Sequence, residues 1–188
     1  MNVYDFDKTI FHFDSSYCFY CYCLRHRTRA VIKSVPAAIF QLPSYLVQGR
    51  QDAKSLKEAL FSFANRIDNI DDLVLSFWEC YENQVEAWYL QRMNCEDVII
   101  SASPQFLLQP IADRLGVRLI ATKMNPYTGK IKGKNCHDQE KARRFLEMYP
   151  DAVVDEFYSD SLSDEPMARL ANRAFLIQNE QCIPWPLR

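Results

Sequence analysis

Two aspartates two residues apart open the chemistry of this chain, in Asp5-Phe6-Asp7-Lys8-Thr9, directly after the apolar pair Val3-Tyr4. A second acidic pair follows another apolar stretch, in Tyr158-Ser159-Asp160-Ser161-Leu162-Ser163-Asp164. Carboxylates at the end of a buried strand need a cation or a chemical task to offset their desolvation. Two such clusters point to a Mg²⁺ site in which one aspartate is free to act as a nucleophile. In the first pair, one carboxylate can attack phosphorus while binding Mg²⁺, and the other can give a proton to the leaving group and later take one from water. A phosphoryl group carries dense negative charge, so such a site needs positive charge besides the metal. Lys141 can supply it, Ser101 at a strand-to-helix turn suits a phosphate oxygen, and Asp160 and Asp164 would complete the Mg²⁺ shell.

The elements that must position these residues read as an α/β fold. Residues 2–6 form a short strand, and 97–101 a buried strand. Pro104 can open a helix that runs to Leu115 and stops at Gly116. Residues 117–122, 152–158 and 174–178 read as further strands, and 138–149 and 164–171 as helices, with a turn at Asn125–Gly129. Strand and helix alternate from residue 97 onward, which predicts a parallel sheet with helices on its faces. Residues 15–92 differ in character, being aromatic-rich and helical in period, with a helix start near Asp71-Asp72. The expected organisation is a catalytic core of residues 1–14 and 93–188, with 15–92 inserted after the first strand as a helical cap. Ligands of open parallel sheets bind beyond the carboxyl ends of the strands, so a cap inserted there lies over Asp5, Asp7, Ser101, Asp160 and Asp164.

Composition narrows the function classes. The chain has 188 residues, 48% hydrophobic and 24% charged, the balance of an ordinary globular domain. A formal net charge of -2 leaves no electrostatic footprint for nucleic acid. Seven cysteines without a signal-like leader ahead of the motif at residue 5 read as a reducing, cytoplasmic setting. Cys18, Cys21 and Cys23 have no matching second half for a zinc site and are expected as buried thiols on an aromatic helix. The basic cluster Arg25, His26, Arg27, Arg29 and Lys33 precedes an apolar run from Ala30 to Val47. That run is broken by Lys33, Pro36 and Pro43 and is shorter than the roughly 20 apolar residues of a spanning helix. A membrane-surface contact through the cap is the alternative to a solvated basic rim over cap helices. His137 is expected as a surface or turn residue, and Lys130, Lys132 and Lys134 as an exposed hairpin.

The four blocks Asp5-x-Asp7-x-Thr9, Ser101 after Val98-Ile99-Ile100, Lys141, and Asp160-x-x-x-Asp164 resemble, in order, those of the haloacid dehalogenase superfamily. The phosphoserine-phosphatase-like branch is most similar, and the likeness covers nearly the whole chain. The resemblance implies a Rossmann-like parallel sheet, with Asp5 as nucleophile and Asp7 as general acid/base. It implies Mg²⁺ bound by Asp5, the Asp7 carbonyl and Asp160, with Asp164 close behind. Ser101, Lys141 and Thr9 would hold the phosphoryl group. Dehalogenases and phosphonatases of the superfamily lack the second acid, so Asp7 favours phosphomonoester hydrolysis. Where phosphoserine phosphatases place a substrate-reading glutamate, this chain has Asp14, and Ala102-Ser103-Pro104 replaces their glycine pair. The expectation is therefore a Mg²⁺-dependent phosphatase of a small phosphorylated metabolite. Its alternatives are a membrane-surface phosphatase of a lipid phosphate such as phosphatidylglycerophosphate, a phosphotransferase, and a ligand-sensing relative.

Overall fold

The computed structural model of the protein describes residues 1–36, 38–39, 53–178 and 181–186. A six-stranded sheet runs in the order β3-β2-β1-β4-β5-β6. Its strands are β1 (Val3–Tyr4), β2 (Val98–Pro104), β3 (Arg118–Thr122), β4 (Val154–Ser159), β5 (Ala171–Gln178) and β6 (Gln181–Pro184). The first five pair in parallel, as expected, but β6 pairs antiparallel to β5. The sequence reading ended the sheet at residue 178 and missed this edge. Two residues separate β5 from β6, far too few for the crossover a parallel neighbour requires.

The period-2 alternation of the strands divides the core. Val3, Val98, Ile100 and Phe157 point into a cluster with Phe145, Met167 and Trp185. Tyr4, Ile99 and Tyr158 point the other way, into a larger cluster. On that face Tyr4 stacks on Tyr158 at 5.0 Å and Tyr158 on Phe175 at 4.9 Å, one ring per strand across β1, β4 and β5. Arg92 caps the row, 5.0 Å from the centroid of the Tyr158 ring.

Residues 15–92 are largely helical where described: α1 (Ser15–His26), α2 (Thr28–Ile32), α3 (Ala53–Phe61), α4 (Ile70–Tyr81) and α5 (Ala87–Leu90). The helix expected at Asp71-Asp72 begins one residue earlier. Asn69 caps it by accepting the Asp72 N–H, and the two aspartates sit in its first turn, where the helix dipole favours them. The described aromatic residues of this segment do not form a core of their own. Phe19, Phe61, Phe63, Phe77 and Trp78 share one buried cluster with Tyr4 and Phe6 and with Leu107, Leu108 and Ile111 of α6 (Gln105–Leu115). Trp78 Nε1 donates to the Leu107 carbonyl at 2.6 Å.

The remaining helices are α7 (Gln139–Met148) and α8 (Glu165–Ala168). The helix expected over 164–171 is only α8, after a 3-10 turn at Leu162–Asp164, and β5 takes up its last residue. Half of the apolar run 30–47, residues 37 and 40–47, lies outside the described residues. No helix among the described residues is long and apolar enough to cross a membrane.

Helix α3 is tied to the loop between β3 and α7. Lys54 Nζ donates to Gly133 O, Glu58 accepts from Ile131 N, and Lys130 pairs with Glu58 at 3.1 Å. Gly129 makes this approach feasible. Its φ is +68°, and a Cβ there would run into the Phe61 carbonyl, whereas Gly116, at the same φ, has open space. Gly116→Ala should therefore cost about 1 kcal/mol from the left-handed backbone alone. Gly129→Ala should cost clearly more, which urea denaturation of the two variants would measure side by side.

Candidate active site

The chain leaves β1 at Asp5, whose N–H donates to the Tyr158 carbonyl at 2.8 Å, and then turns sharply. The Phe6 carbonyl accepts from the N–H groups of Thr9, Ile10 and Phe11, and Lys8 sits at φ +56°. A lysine in this region is uncommon, and such residues concentrate where a loop must aim functional groups. The turn presents Asp5 and Asp7 from one strand end. Beside it, β4 ends at Ser159 and delivers Asp160, and the short 3-10 turn brings Asp164 back beneath. The β1/β4 junction is where the strand order reverses, the place at which open parallel sheets form a ligand crevice.

Asp5, Asp7, Lys141, Asp160 and Asp164 line one cavity of about 380 Å³. Larger grooves, of about 820, 810 and 750 Å³, are present, but none of these three gathers aspartates around a buried lysine. Convergent chemistry, rather than volume, marks the smaller cavity as the candidate site.

At its floor Lys141 is 2% exposed and its Nζ lies 2.7 Å from both Asp5 Oδ1 and Asp164 Oδ2. Ser159 Oγ donates a second bond to Asp164 Oδ2 at 2.7 Å. Burial by itself would lower the Lys141 pKa, but the two carboxylates outweigh it and hold the ammonium above its ordinary value. Burial pushes Asp5 up to about 8, the charges of Asp164 and Asp160 push the same way, and Lys141 opposes them. Asp160 is also raised, first by burial, against the pull of Lys141 and Lys8. Burial, more than repulsion between the carboxylates, raises both groups, and the pull of Lys141 does not offset it. Among the described residues, buried Asp164 Oδ1 has no hydrogen-bond partner.

Asp7 sits differently. Its Oδ1 accepts the Ser15 N–H at 2.6 Å and its Oδ2 accepts the Ser103 hydroxyl at 2.5 Å. Burial and the Asp14 charge raise its pKa, while these two serines lower it.

Other expected residues stand as follows. Asp14 lines the cavity and also caps α1, accepting the Tyr17 N–H at 2.9 Å. Ser101 is fully buried at a register shift between β2 and β3, a bulge of the kind that re-aims side chains. Its hydroxyl accepts the Ser103 N–H, and Ala102 is the β2 residue on the cavity wall. Thr9 does not line the cavity; its Oγ1 accepts the Asp160 N–H at 2.9 Å and stitches the two acidic loops together. His137 does line it, within 3.3 Å of Ser163 Oγ. Of the three cysteines on α1 only Cys23 is buried.

Sequence reasoning missed Lys57. It reaches from α3 into the cavity and donates to the Ala102 carbonyl at 2.7 Å. Burial lowers its pKa, against the pull of Asp7 and Asp14. Nothing local distinguished it from Lys54, one turn earlier on the same helix.

The chain matches the haloacid dehalogenase-like hydrolases over residues 3–169, and it belongs to that family. Protein CicA of Caulobacter vibrioides is 26% identical over 153 residues, covering 78% of this chain and 63% of the relative. The chain thus spans less than two thirds of the length of the curated relatives it matches. Among solved structures, a Bordetella pertussis protein of unknown function superposes with a TM-score of 0.75 at 19% identity, over 93% of this chain and 87% of the other. A phosphoserine phosphohydrolase-like protein from Francisella tularensis gives 0.57 at 17% identity, over 96% and 88%. These likenesses show a shared fold.

Removing the lysine of the buried triad should leave two carboxyls without their counter-charge. Lys141→Met is expected to lose about 3 kcal/mol of stability. Adding Asp5→Asn and Asp164→Asn in that background should recover much of the loss, because the buried charges go with it. A denaturation cycle over these variants measures the coupling.

Proposed function

We propose that this hydrolase-family protein is a Mg²⁺-dependent phosphomonoesterase that works through an aspartyl-phosphate on a small phosphorylated metabolite. The observation that carries the reading is the pair Asp5 and Asp7 on one cavity wall, one paired to a buried ammonium and the other held by neutral donors. The environments of the two carboxyls differ, as a division into nucleophile and acid/base requires.

In the proposed cycle, an Asp5 oxygen attacks phosphorus and the bond to the leaving oxygen breaks. The leaving oxygen takes the electron pair and a proton from Asp7. Water then attacks the acyl phosphate, gives its proton back to Asp7 and frees Asp5 and inorganic phosphate. Lys141 orients Asp5 and offsets phosphoryl charge. Ser101 does not line the cavity; its buried hydroxyl accepts from Ser103 N–H and serves the site by holding Ser103. Thr9 serves this site by holding the Asp160 loop.

A divalent cation suits the donor set. Asp5, Asp160 and the Asp7 carbonyl offer hard oxygens, and behind them Asp164 has a buried oxygen with no partner among the described residues. Among the described residues no three metal-ligating side chains already converge on one point, so the shell would draw on the backbone carbonyl and on water. When bound, Mg²⁺ would supply the positive charge that lets an acidic cavity accept a phosphate dianion.

Residues 15–92 act in this reading as the cap over a core of 1–14 and 93–188, and Lys57 is its contribution to the site. A cavity of about 380 Å³ suits a small metabolite, and Asp14 and Lys57 are the charges its non-phosphoryl part would meet. A reducing, cytoplasmic setting goes with this, supported by seven cysteines that all stand free.

Phosphate release from a panel of phosphomonoesters, with Mg²⁺ and with chelator, tests the reading. The panel would hold phosphoserine, sugar phosphates, nucleotides and a dispersed lipid phosphate. Turnover should require Mg²⁺, and Asp5→Asn should reduce it by about a thousandfold or more while the protein stays folded. Near-wild-type turnover by Asp5→Asn would remove the nucleophile assignment.

A further inference from the structure

Ser103 is 2% exposed and has one hydroxyl proton to place. Three neighbours lie within hydrogen-bonding distance of that hydroxyl. Ser15 Oγ donates to Ser103 Oγ at 3.1 Å, Ser16 Oγ lies 2.9 Å away, and Asp7 Oδ2 lies 2.5 Å away. A carboxylate oxygen cannot donate, and a serine oxygen has two lone pairs and one proton. With Ser15 donating to one lone pair and Ser16 to the other, the Ser103 proton goes to Asp7. The backbone of the same residue donates to Ser101 Oγ at 3.0 Å, so Ser103 is anchored at both ends.

From this arrangement we infer that Ser103 is the positioning residue of the acid/base Asp7. The inference rests on the phosphatase reading above. The Ser15 N–H holds Asp7 Oδ1 and the Ser103 hydroxyl holds Oδ2, so together they fix the plane of the carboxyl group. Each oxygen keeps a further lone pair, which leaves room for the proton that Asp7 delivers. Without Ser103, one bond from Ser15 remains and the carboxyl group can rotate about it. Ser15 and Ser16 come from the first turn of α1, so the start of the helical segment sets the acid/base through a residue of β2.

The consequence is selective. In the first half-reaction, an alkoxide leaving group needs the Asp7 proton as the bond to phosphorus breaks, whereas 4-nitrophenolate leaves without one. The parameter kcat/KM reports that half-reaction alone, since hydrolysis of the aspartyl-phosphate comes after it. Ser103→Ala should therefore lower kcat/KM for the alkyl phosphomonoester that the wild type turns over best by about 30- to 100-fold. For 4-nitrophenyl phosphate it should stay within about threefold of wild type, because no general acid is called on there. Ser103→Thr keeps the hydroxyl and should restore most of the alkyl rate.

A merely structural role for Ser103 would depress both substrates alike. An equal loss on both, or no loss on the alkyl ester, overturns the inference while leaving the phosphatase reading intact. A folded wild type that is inert on every phosphomonoester, the aryl ester included, overturns that reading and this inference with it.

Discussion

The arrangement depends on one buried contact, an ammonium wedged between two carboxylates. Lys141 arrives on α7, Asp5 at the end of β1 and Asp164 on the turn after β4, and all three charged groups meet with little exposure to solvent. A buried ion pair is seldom a large net source of stability, because desolvation consumes much of its Coulomb energy. Its value here is geometric. Any displacement of one element leaves a charge without its partner, so the triad ties the crossing helix to both strand ends. Around it the cavity lining holds five aspartates against three lysines, so carboxylate is in excess.

The sheet explains why those ends come together. β1 is short but central, flanked in parallel by β2 and β4, so whatever follows it emerges beside whatever follows them. One face of the sheet is closed by α7 and α8 with Trp185, the other by α6 and the aromatic-rich helices. The core of the second closure is continuous with the sheet's. The row Tyr4, Tyr158, Phe175 underlies it, Trp78 is bonded to the backbone of α6, and α3 is bonded to the loop before α7. These contacts set the height from which Lys57 enters the cavity.

Much of the site was legible from residue order alone. Acidic pairs directly after apolar runs mark strand ends, and the alternation after residue 97 implies the sheet that gathers them. Both signals are local: period-2 burial and the cost of an uncompensated carboxylate operate over a few residues. Glycine at 116 and the proline at 104 punctuated α6 for the same reason. Where local signals were weak the reading slipped. The stretch 164–171 carried helical composition, yet pairing with β4 claimed its end for β5. The edge strand β6 has no strong alternation and exists because it completes the hairpin with β5.

The sequence by itself determined which chemistry is available, through the types and order of Asp5, Asp7, Ser101, Lys141, Asp160 and Asp164, and it determined the α/β class that brings strand ends together. Only the tertiary structure decided how those groups are used. It turned Thr9 toward the Asp160 loop, buried the Ser101 hydroxyl beneath Ser103, brought His137 to the cavity wall and carried Lys57 there from a helix far away in sequence. It also placed Ser103, 96 positions from Asp7, within hydrogen-bonding distance of that carboxylate. The physical reason is range. Burial patterns and turn preferences are written in neighbouring residues, whereas a hydroxyl finds its acceptor only after the sheet register and helix packing have brought distant segments of the chain together.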